Sequence, residues 1–278
     1  MGRIHNLLNS AIIILSCILV SMGPGKLWGQ QSHSSAELPS SAVLTQIRDI
    51  LQLSDKDADR GPPVRVRGVV TYYDGPAYHP DHSDPDFFLQ DSTGGIFVKE
   101  ASGQELNLTA GDFVELKGVT AHGWYRNQIE KPSVSVLGRA PLPEPRRPAT
   151  SQLELGRVDC EWVKIAGMVY SAEIEEPSRK LILHLSVGAR RVKVTVLKYP
   201  KTAVTGLLDS NVQIQGVCGG EYNHKREMTG IIIYVPDISF VHNLGASAHT
   251  EGPARNSVSE LERLRGVLLP SSASALGK

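Results

Sequence analysis

The densest group of side chains that could do chemistry lies in the acidic loop Asp74–Asp86. Its ionisable residues are Asp74, His79, Asp81, His82, Asp84 and Asp86. Imidazole and carboxylate groups are zinc ligands, and carboxylates alone suit calcium. The prolines of the loop hold these side chains apart, and the loop has neither an HExxH-like pair nor the regular spacing of a calcium-binding loop. We therefore expect a solvated acidic loop that holds no metal or other cofactor.

Two other loops, Ala121–Asn127 and Gly219–Arg226, place aromatic rings beside cations and amides. Their candidate binding residues are Trp124, Tyr125 and Arg126 in the first loop, and Tyr222, Asn223 and Arg226 in the second. A Tyr or Trp ring beside an arginine can stack on a planar ring or a sugar, while the polar groups hydrogen-bond its edge. These loops are therefore the better binding candidates. The alternative is that both are hairpin tips whose rings pack on their own domain.

The sequence offers no convincing pairing of a nucleophile with a base. It contains no GxSxG elbow and no SxxK motif. Cys160 and Cys218 have no histidine near them in sequence, and His184 alternates outward between two leucines. We therefore expect no enzyme activity and assign no catalytic residue.

The overall composition favours many short strands, and its balanced charges give the chain no long-range electrostatic field. Lysine and arginine together number 29, as do aspartate and glutamate, so the formal net charge is zero and no field draws in nucleic acid or an anionic membrane. Glycine (26 residues) and proline (17) are frequent and aromatic residues make up 6%, which suits strands and turns better than a helical bundle.

Residues 1–29 are predicted to be a signal peptide. Arg3 and His5 precede the apolar run Ala11–Met22, which is broken by Gly23–Gly25. The run has the length of a signal-peptide core and is short for a bilayer-spanning helix. An uncleaved anchor is the alternative. In either case we expect the rest of the chain to be periplasmic or secreted. Cleavage of the signal peptide would leave no membrane span in the mature chain.

One strand pattern recurs and organises the rest of the chain. Val64–Tyr73 alternates apolar and charged residues, which is the period of a half-buried strand, and then becomes apolar after Gly68. Val163–Tyr170 repeats the pattern around Gly167, and shorter versions with Gly118 and Gly216 follow in each half. One small β domain is therefore predicted to be used twice, with these glycines where strands bend round a barrel.

Each half is predicted to contain five strands. In the first they are Val64–Tyr73, Phe87–Asp91, Ile96–Lys99, Asp112–Thr120 and Gln128–Leu137; in the second, Glu161–Ala172, Lys180–Val187, Arg191–Leu197, Asn211–Val217 and Gly230–His242. A helix at Thr202–Leu208, between the third and fourth strands, gives the layout of an OB-fold. The predicted fold is thus mainly β: two tandem five-stranded OB-like Greek-key barrels with short helices. β-sandwich arrangements stay open because strand order is not visible in one sequence.

The predicted domains follow from these elements. They are a disordered lead with a short helix at Leu44–Leu53 (30–60), the first barrel (61–140), a proline-rich linker (141–150), the second barrel (151–244) and a flexible tail (245–278). Cys160 and Cys218 fall at the start of the first strand and the end of the fourth strand of the second barrel. An oxidising compartment would permit a disulfide between them after export. The favoured alternative is that both are buried free thiols.

These motifs resemble the extracytoplasmic sensor region of certain bacterial two-component histidine kinases. They are VRVRGVVTYYD, FFLQDSTGGIFV, GDFVELKGVT, WVKIAGMV and VQIQGVCGGEYNHKREMTGIIIYVP, and the similarity covers roughly Leu44 to Leu244. The resemblance implies two tandem OB-like domains with a recognition role, and it places Tyr73, Asp91, Tyr222, Asn223 and Arg226 on matching motif positions. This chain departs from the family in having a longer, more acidic Asp74–Asp86 loop. No apolar span or kinase follows Leu244, so we expect no membrane signalling in cis.

The sequence thus predicts an exported, non-enzymatic binding or sensing module that recognises a small molecule, a glycan or a partner protein. The expected ligand-binding residues are Tyr73, Asp91, Trp124, Tyr125, Arg126, Tyr222, Asn223 and Arg226. The alternative is a single-stranded nucleic-acid-binding OB-fold protein. Nucleic acid is expected to be an unlikely partner, because acidic residues lie near Arg65, Arg67, Arg126, Arg190 and Arg191.

Overall fold

The computed structural model describes residues 42–79, 85–100, 106–225 and 227–246. The predicted signal peptide, residues 30–41 of the predicted lead and nearly all of the predicted tail lie outside these residues. So does Arg226.

The first half of the described chain is a closed five-stranded barrel. Its strands are β1 (Pro63–Tyr73), β2 (Phe87–Gln90), β3 (Gly95–Lys99), β4 (Asp112–His122) and β5 (Asn127–Arg139). They follow one another round the barrel in the order β1-β2-β3-β5-β4, and β3 and β5 are parallel. The five predicted strands are confirmed to within a residue or two at each end.

The second half repeats this order. Its strands are β6 (Trp162–Glu175), β7 (Lys180–Val187), β8 (Arg190–Lys198), β9 (Ser210–Tyr222), β10 (Met228–Asp237) and β11 (Val241–Ala246). Because β10 pairs in parallel with β8 and antiparallel with β9, strands β6-β7-β8-β10-β9 also close into a ring. The two halves therefore share the OB-fold strand order, and the β-sandwich alternative is excluded.

Three predicted strands of the second barrel differ in extent. β6 runs to Glu175 and β9 to Tyr222, three and five residues beyond their predicted ends, so part of the predicted loop Gly219–Arg226 is strand.

The third of these strands, Gly230–His242, is predicted too long. A 3-10 turn at Ile238–Phe240 divides it, and the Asp237 side chain caps this turn by accepting a hydrogen bond from the Ser239 N–H. The chain then returns as β11, which pairs with the outer side of β9.

Four short helices connect the strands: α1 (Ile47–Leu51), α2 (Asp55–Asp59), α3 (Thr150–Glu154) and α4 (Ala203–Gly206). The helix predicted from Leu44 starts later because Leu44 forms a β-bridge with Val64. α2 begins with a side-chain cap, in which the Ser54 hydroxyl accepts a hydrogen bond from the Asp57 N–H. Within the described ranges, no helix has the length and apolar content that crossing a bilayer requires.

Each barrel has its own apolar core, and a third cluster lies between the barrels. The buried members of this third cluster are Tyr72, Phe88, Cys160, Trp162, Leu197 and Val217. Polar contacts cross the same interface: the Gln90 Oε1 accepts a hydrogen bond from the Trp162 N–H at 2.8 Å, and the Lys180 Nζ lies 2.6 Å from the Asp74 Oδ2. The two barrels therefore pack together through an apolar cluster that specific polar contacts flank.

Gly68 lies where β1 bends against β2. A Cβ built on Gly68 would lie 2.7 Å from the main-chain oxygen of Gln90 and 3.1 Å from the Leu89 Cγ. The equivalent Gly167 of the second barrel faces the Ser186 main-chain oxygen at 2.6 Å in the same way. The absence of a side chain at these positions therefore lets a neighbouring strand approach closely.

We expect Gly68→Ala to lower the free energy of unfolding by about 1–3 kcal/mol, the usual cost of overpacking a closed core. Urea titration of the full chain measures the change. Gly206→Ala is the matched control, because a Cβ at Gly206 meets no atom within 4 Å. Equal midpoints for the two variants would contradict the role assigned to Gly68.

Candidate ligand-binding site

The two aromatic loops meet at the interface between the barrels. Tyr125 lies in the turn between β4 and β5, and Tyr222 ends β9 just before the turn to β10. Their rings stack, with centroids 4.9 Å apart and planes inclined by 14°. The Tyr125 hydroxyl donates to the Leu155 carbonyl at 3.1 Å, and the Arg126 Nη1 donates to the Asp159 carbonyl at 3.3 Å. Tyr125 and Arg126 thus reach across to the second barrel and do not pack only on their own.

A cavity of about 350 Å³ lies beside this stack and is lined by both barrels. Its aromatic lining consists of Phe88, Phe97, Trp124, Tyr125, Tyr222 and Tyr234. A cavity of this size falls at the small end of the range for ligand pockets, which are mostly apolar with a few placed polar groups. The arrangement can hold a small molecule that has a ring or a compact apolar group.

The aromatic rings of the cavity are fixed by one another. Phe88 packs edge-on against Phe97, with ring centroids 5.4 Å apart, and lies 5.0 Å from the Tyr234 ring. Trp124 differs from these rings because it is 65% exposed. A large exposed ring beside a cavity is a feature of binding surfaces, since it gains most from being covered.

Two carboxyl groups, those of Asp86 and Asp159, also line the cavity. Burial raises the pKa of the Asp159 carboxyl to about 6, against the opposing influence of the nearby Arg126 guanidinium. Burial, reinforced by the Asp74 charge, raises the pKa of the Asp86 carboxyl to about 6, while Lys180 acts in the opposite direction. Both groups are ionised at neutral pH, at a cost in stability.

Asp159→Asn is expected to stabilise the protein in a pH-dependent way. The folded-state pKa of about 6 lies above the ordinary value of 3.8, so the wild type loses stability relative to the variant as pH rises from about 4 to above 6. The gain should be on the order of 1–3 kcal/mol above pH 7 and should vanish near pH 4. Urea midpoints measured across this range test it; a gain that is the same at every pH would contradict the proposed cause.

The structure brings together four of the eight predicted binding residues: Trp124, Tyr125, Arg126 and Tyr222 all line the cavity. Asn223 lies next to them but stabilises its own turn, because its Oδ1 accepts from the Lys225 and Glu227 N–H groups.

Tyr73 and Asp91 lie elsewhere. Tyr73 is 7% exposed and packs its ring edge-on against Phe87 in the first barrel core. The Asp91 carboxylate accepts hydrogen bonds from the N–H groups of Ile47, Thr93 and Gly94, so it anchors the β2–β3 turn to α1.

Sequence reasoning missed Phe88, Phe97, Tyr234 and Asp159 as cavity residues. One feature of β2 indicates that it lies between the barrels: Phe87, Phe88, Leu89 and Gln90 are all buried. A strand with no polar alternate face indicates that both faces are covered, and here the second face meets the other barrel. Asp159 stands alone before β6, and nothing in the pattern around it marks it as a cavity residue.

The acidic loop has a structural centre in its described part. Asp74 is buried, and its carboxylate lies 2.9 Å from the His79 Nε2 and accepts a hydrogen bond from the Asp86 N–H at 2.7 Å. Residues 80–84, which include Asp81, His82 and Asp84, lie outside the described residues. Among the residues that are described, no three His, Cys, Asp or Glu side chains group together in a way that could hold a metal ion.

The two cysteines are adjacent, free and buried. The Cys160 N–H donates to the Cys218 carbonyl at 2.7 Å, and neither thiol is in a disulfide. Burial raises the pKa of both thiols, which disfavours the thiolate that a nucleophile or a metal ligand requires.

Comparison with known proteins gives structural neighbours only. No protein-family model matches the chain, and no curated protein matches it. Among solved structures it is similar to an aspartyl-tRNA synthetase from Entamoeba histolytica (15% identity over 50% of this chain, TM-score 0.29). It is also similar to the Ifi202 HINa domain in complex with 20-bp double-stranded DNA (9% identity, 66% of this chain and 95% of that one, TM-score 0.31). A murine DNA-binding protein bound with double-stranded DNA matches at 12% identity, 66% and 96% coverage and a TM-score of 0.31. The chain spans about a third of the synthetase's length.

These comparisons correct one expectation. Nucleic acid was expected to be an unlikely partner, but the solved structures that the chain resembles include DNA-binding proteins in complex with double-stranded DNA. The resemblance to histidine-kinase sensor regions stays a prediction.

Proposed function

We propose that the chain is an exported, non-enzymatic binding module that holds a small molecule in the cavity between its two barrels. The observation that carries the proposal is the stacked pair Tyr125 and Tyr222, one ring from each barrel, beside a cavity of about 350 Å³ with an aromatic lining. The signal-peptide pattern at Ala11–Met22 supports export. The sensor-region resemblance supports a recognition role.

The chemistry of the cavity supports binding over catalysis. Cys160 is the thiol that lines it, and burial raises the pKa of that thiol. Its carboxyl groups belong to separate loops on different barrels, and no described histidine lines the cavity with them. Rings that give contact area, with a few polar groups that fix orientation, are the ordinary composition of a binding pocket.

The proposal is tested by a thermal-shift screen of the full chain against sugars, amines, peptides and nucleosides, followed by calorimetry on each hit. A ligand that binds the folded state raises the melting temperature by mass action. Trp124→Ala and Tyr222→Ala should each weaken a true hit by about tenfold or more, as the loss of aromatic anchors does elsewhere. Tyr170→Ala is the matched control, since Tyr170 is a half-exposed ring on β6 that does not line the cavity. Hits that are insensitive to both cavity variants would contradict the proposal.

Binding of single-stranded nucleic acid is the second candidate, and one feature of the surface favours it. Trp124, 65% exposed, and Arg126 lie together in the β4–β5 loop, which in OB-folds borders the oligonucleotide-binding face. An exposed ring beside an arginine can stack on a base and hold the backbone.

Filter binding with single-stranded and double-stranded oligonucleotides separates this candidate from the first. Phosphate-dependent binding falls steeply with salt, whereas binding of a small molecule in the cavity should depend on salt weakly. Trp124→Ala should weaken oligonucleotide binding and leave the melting temperature unchanged. The absence of binding at low salt would remove the second candidate and leave the first in place.

A further inference from the structure

The charges of the cavity indicate which kind of small molecule it takes. Asp86 and Asp159 both line it, and neither carboxylate forms an ion pair with a residue in the described part of the chain. The Asp159 carboxylate accepts a weak hydrogen bond from the Cys160 Sγ at 3.5 Å, and the Tyr222 side chain also faces it. Buried carboxylates of this kind are costly unless a cation accompanies them.

One described cation, Arg126, lines the cavity with the two carboxylates and lowers the pKa of the Asp159 carboxyl, so it offsets one of the two negative charges. The Arg126 guanidinium donates to the main-chain carbonyl of Asp159 at 3.3 Å. The Lys180 ammonium is held by Asp74 at 2.6 Å, and that pair is itself buried. The cavity therefore contains more negative charge than its own side chains neutralise.

The remaining lining is aromatic, and aromatic faces attract cations. Six rings line a space of about 350 Å³. A ring face attracts an ammonium group placed within about 6 Å of its centre, and a desolvated contact of this kind is worth about 2 kcal/mol or more. The carboxylates and the ring faces of the cavity thus favour the same chemical group, an ammonium cation.

Resting on the proposed binding function, we infer that the interbarrel cavity takes an organic cation, a small molecule with a substituted ammonium group. Asp86 and Asp159 supply the counter-charge, and the rings of Trp124, Tyr222 and Phe88 pack on the alkyl substituents. A neutral sugar would find rings to stack on but would leave the excess negative charge of the cavity without a counter-ion.

The geometry also gives the cavity a pH dependence. The groups that face Asp159 are Arg126, Cys160 and Tyr222. Those that face Asp86 are Asp74, Lys180, His79 and Lys193. An organic cation binds the ionised carboxylates, so its affinity should rise as pH increases through about 6 and level off above that value. Below about pH 6 the affinity for the cation should fall by about tenfold per pH unit for each carboxylate that must lose a proton before the cation binds.

The test compares choline with its uncharged isostere 3,3-dimethylbutan-1-ol, and with glucose, by calorimetry on the full chain. At about pH 7.5 choline should bind at least about tenfold tighter than the isostere, since the extra charge is worth more than 1.4 kcal/mol beside a desolvated carboxylate. Asp159→Asn and Asp86→Asn should each weaken choline binding about tenfold and flatten its pH dependence, while the isostere is unaffected. Glu173→Gln is the matched control, because this exposed carboxylate lies on β6 outside the cavity.

The outcomes separate this inference from the proposed function. One outcome is that glucose or the isostere binds as tightly as choline, and that this binding depends on Trp124 but not on the two aspartates. This outcome would overturn the inference that the ligand is an organic cation and would leave the proposed binding function standing. If none of the three probes binds and the wider screen gives no hit that depends on Trp124 or Tyr222, both fail. Melting temperatures of the two aspartate variants at or above the wild-type value establish that any lost affinity does not come from unfolding.

Discussion

Replacing Gly95 by alanine is expected to separate the two barrels. Gly95 begins β3, and a Cβ built on it would lie 1.9 Å from the main-chain oxygen of Cys160 and 2.5 Å from the carbon that bears that oxygen. Cys160 has little freedom to retreat, because its N–H is bonded to the Cys218 carbonyl. The new methyl group must therefore push β3 of the first barrel away from the chain leading into β6.

The separation would break several contacts at once. The hydrogen bond from the Trp162 N–H to the Gln90 Oε1 is one, and the packing of Phe88 on Tyr234 is another. We expect a loss of about 3 kcal/mol or more in the free energy of unfolding, the upper part of the overpacking range, because the obstacle is backbone and not the end of a side chain.

Thermal unfolding and small-angle X-ray scattering of the full chain measure this effect. Gly95→Ala should lower the melting temperature, increase the radius of gyration and abolish ligand binding in the cavity. The neighbouring Gly94→Ala is the control: its Cβ would lie 3.6 Å from the Leu51 Cδ1 and 3.7 Å from the Ile47 Cγ2, which is ordinary contact. Identical melting temperatures and scattering curves for the two variants would show that the packing of the two barrels does not depend on the close approach of Gly95 to the main chain of Cys160.

The role of Gly95 shows where sequence reasoning ends for this fold. The segment Ser92–Gly95 consists of residue types that favour turns, and the connection between β2 and β3 occupies most of it. Nothing local indicates that its last glycine also makes room for the main chain of the other barrel. That requirement arises only when both barrels are in place.

The barrels themselves were predictable because their determinants are local. Alternation along Val64–Tyr73 fixes which face of β1 is buried, and Gly68 marks the bend. The same features around Gly167 predict the second barrel independently. Strand order is less local, since the closing contacts of β3 with β5 and of β8 with β10 join segments far apart in sequence.

Four of the eight predicted binding residues line the cavity, and this partial success has the same physical cause. Trp124, Tyr125 and Tyr222 stand out because rings beside cations in a turn are unusual in composition. Tyr125 stacks on Tyr222 only because of the way the two barrels pack, and one sequence does not predict that packing. Asp159 shows the same limit, because its position in the cavity is set by the neighbouring barrel.

Lys180→Met is expected to destabilise the protein more than most surface charge removals, because it takes the ammonium group away from the buried Asp74 carboxylate. His79 and the Asp86 N–H are then left as the described partners of that charge. The Lys180 Nζ and the Asp74 Oδ2 are 2.6 Å apart, and their side chains are 8% and 0% exposed. Removing one member of a buried ion pair typically costs about 3–5 kcal/mol, since the remaining ion keeps its desolvation cost without its partner. Asp86 adds to that cost, because its carboxyl lies near the abandoned Asp74 charge.

A second substitution distinguishes this cause from a simple loss of packing. Asp74→Asn removes the abandoned charge and keeps an oxygen that can accept the hydrogen bond from the Asp86 N–H. The double variant Lys180→Met/Asp74→Asn should therefore recover most of the stability lost in Lys180→Met, as replacing both members of a buried pair often does. Urea midpoints at constant slope provide the measurement, with Lys198→Met, an exposed lysine on β8, as the control. If the double variant is no more stable than Lys180→Met, the ammonium matters for its packing, and the charge balance at this interface does not set its strength.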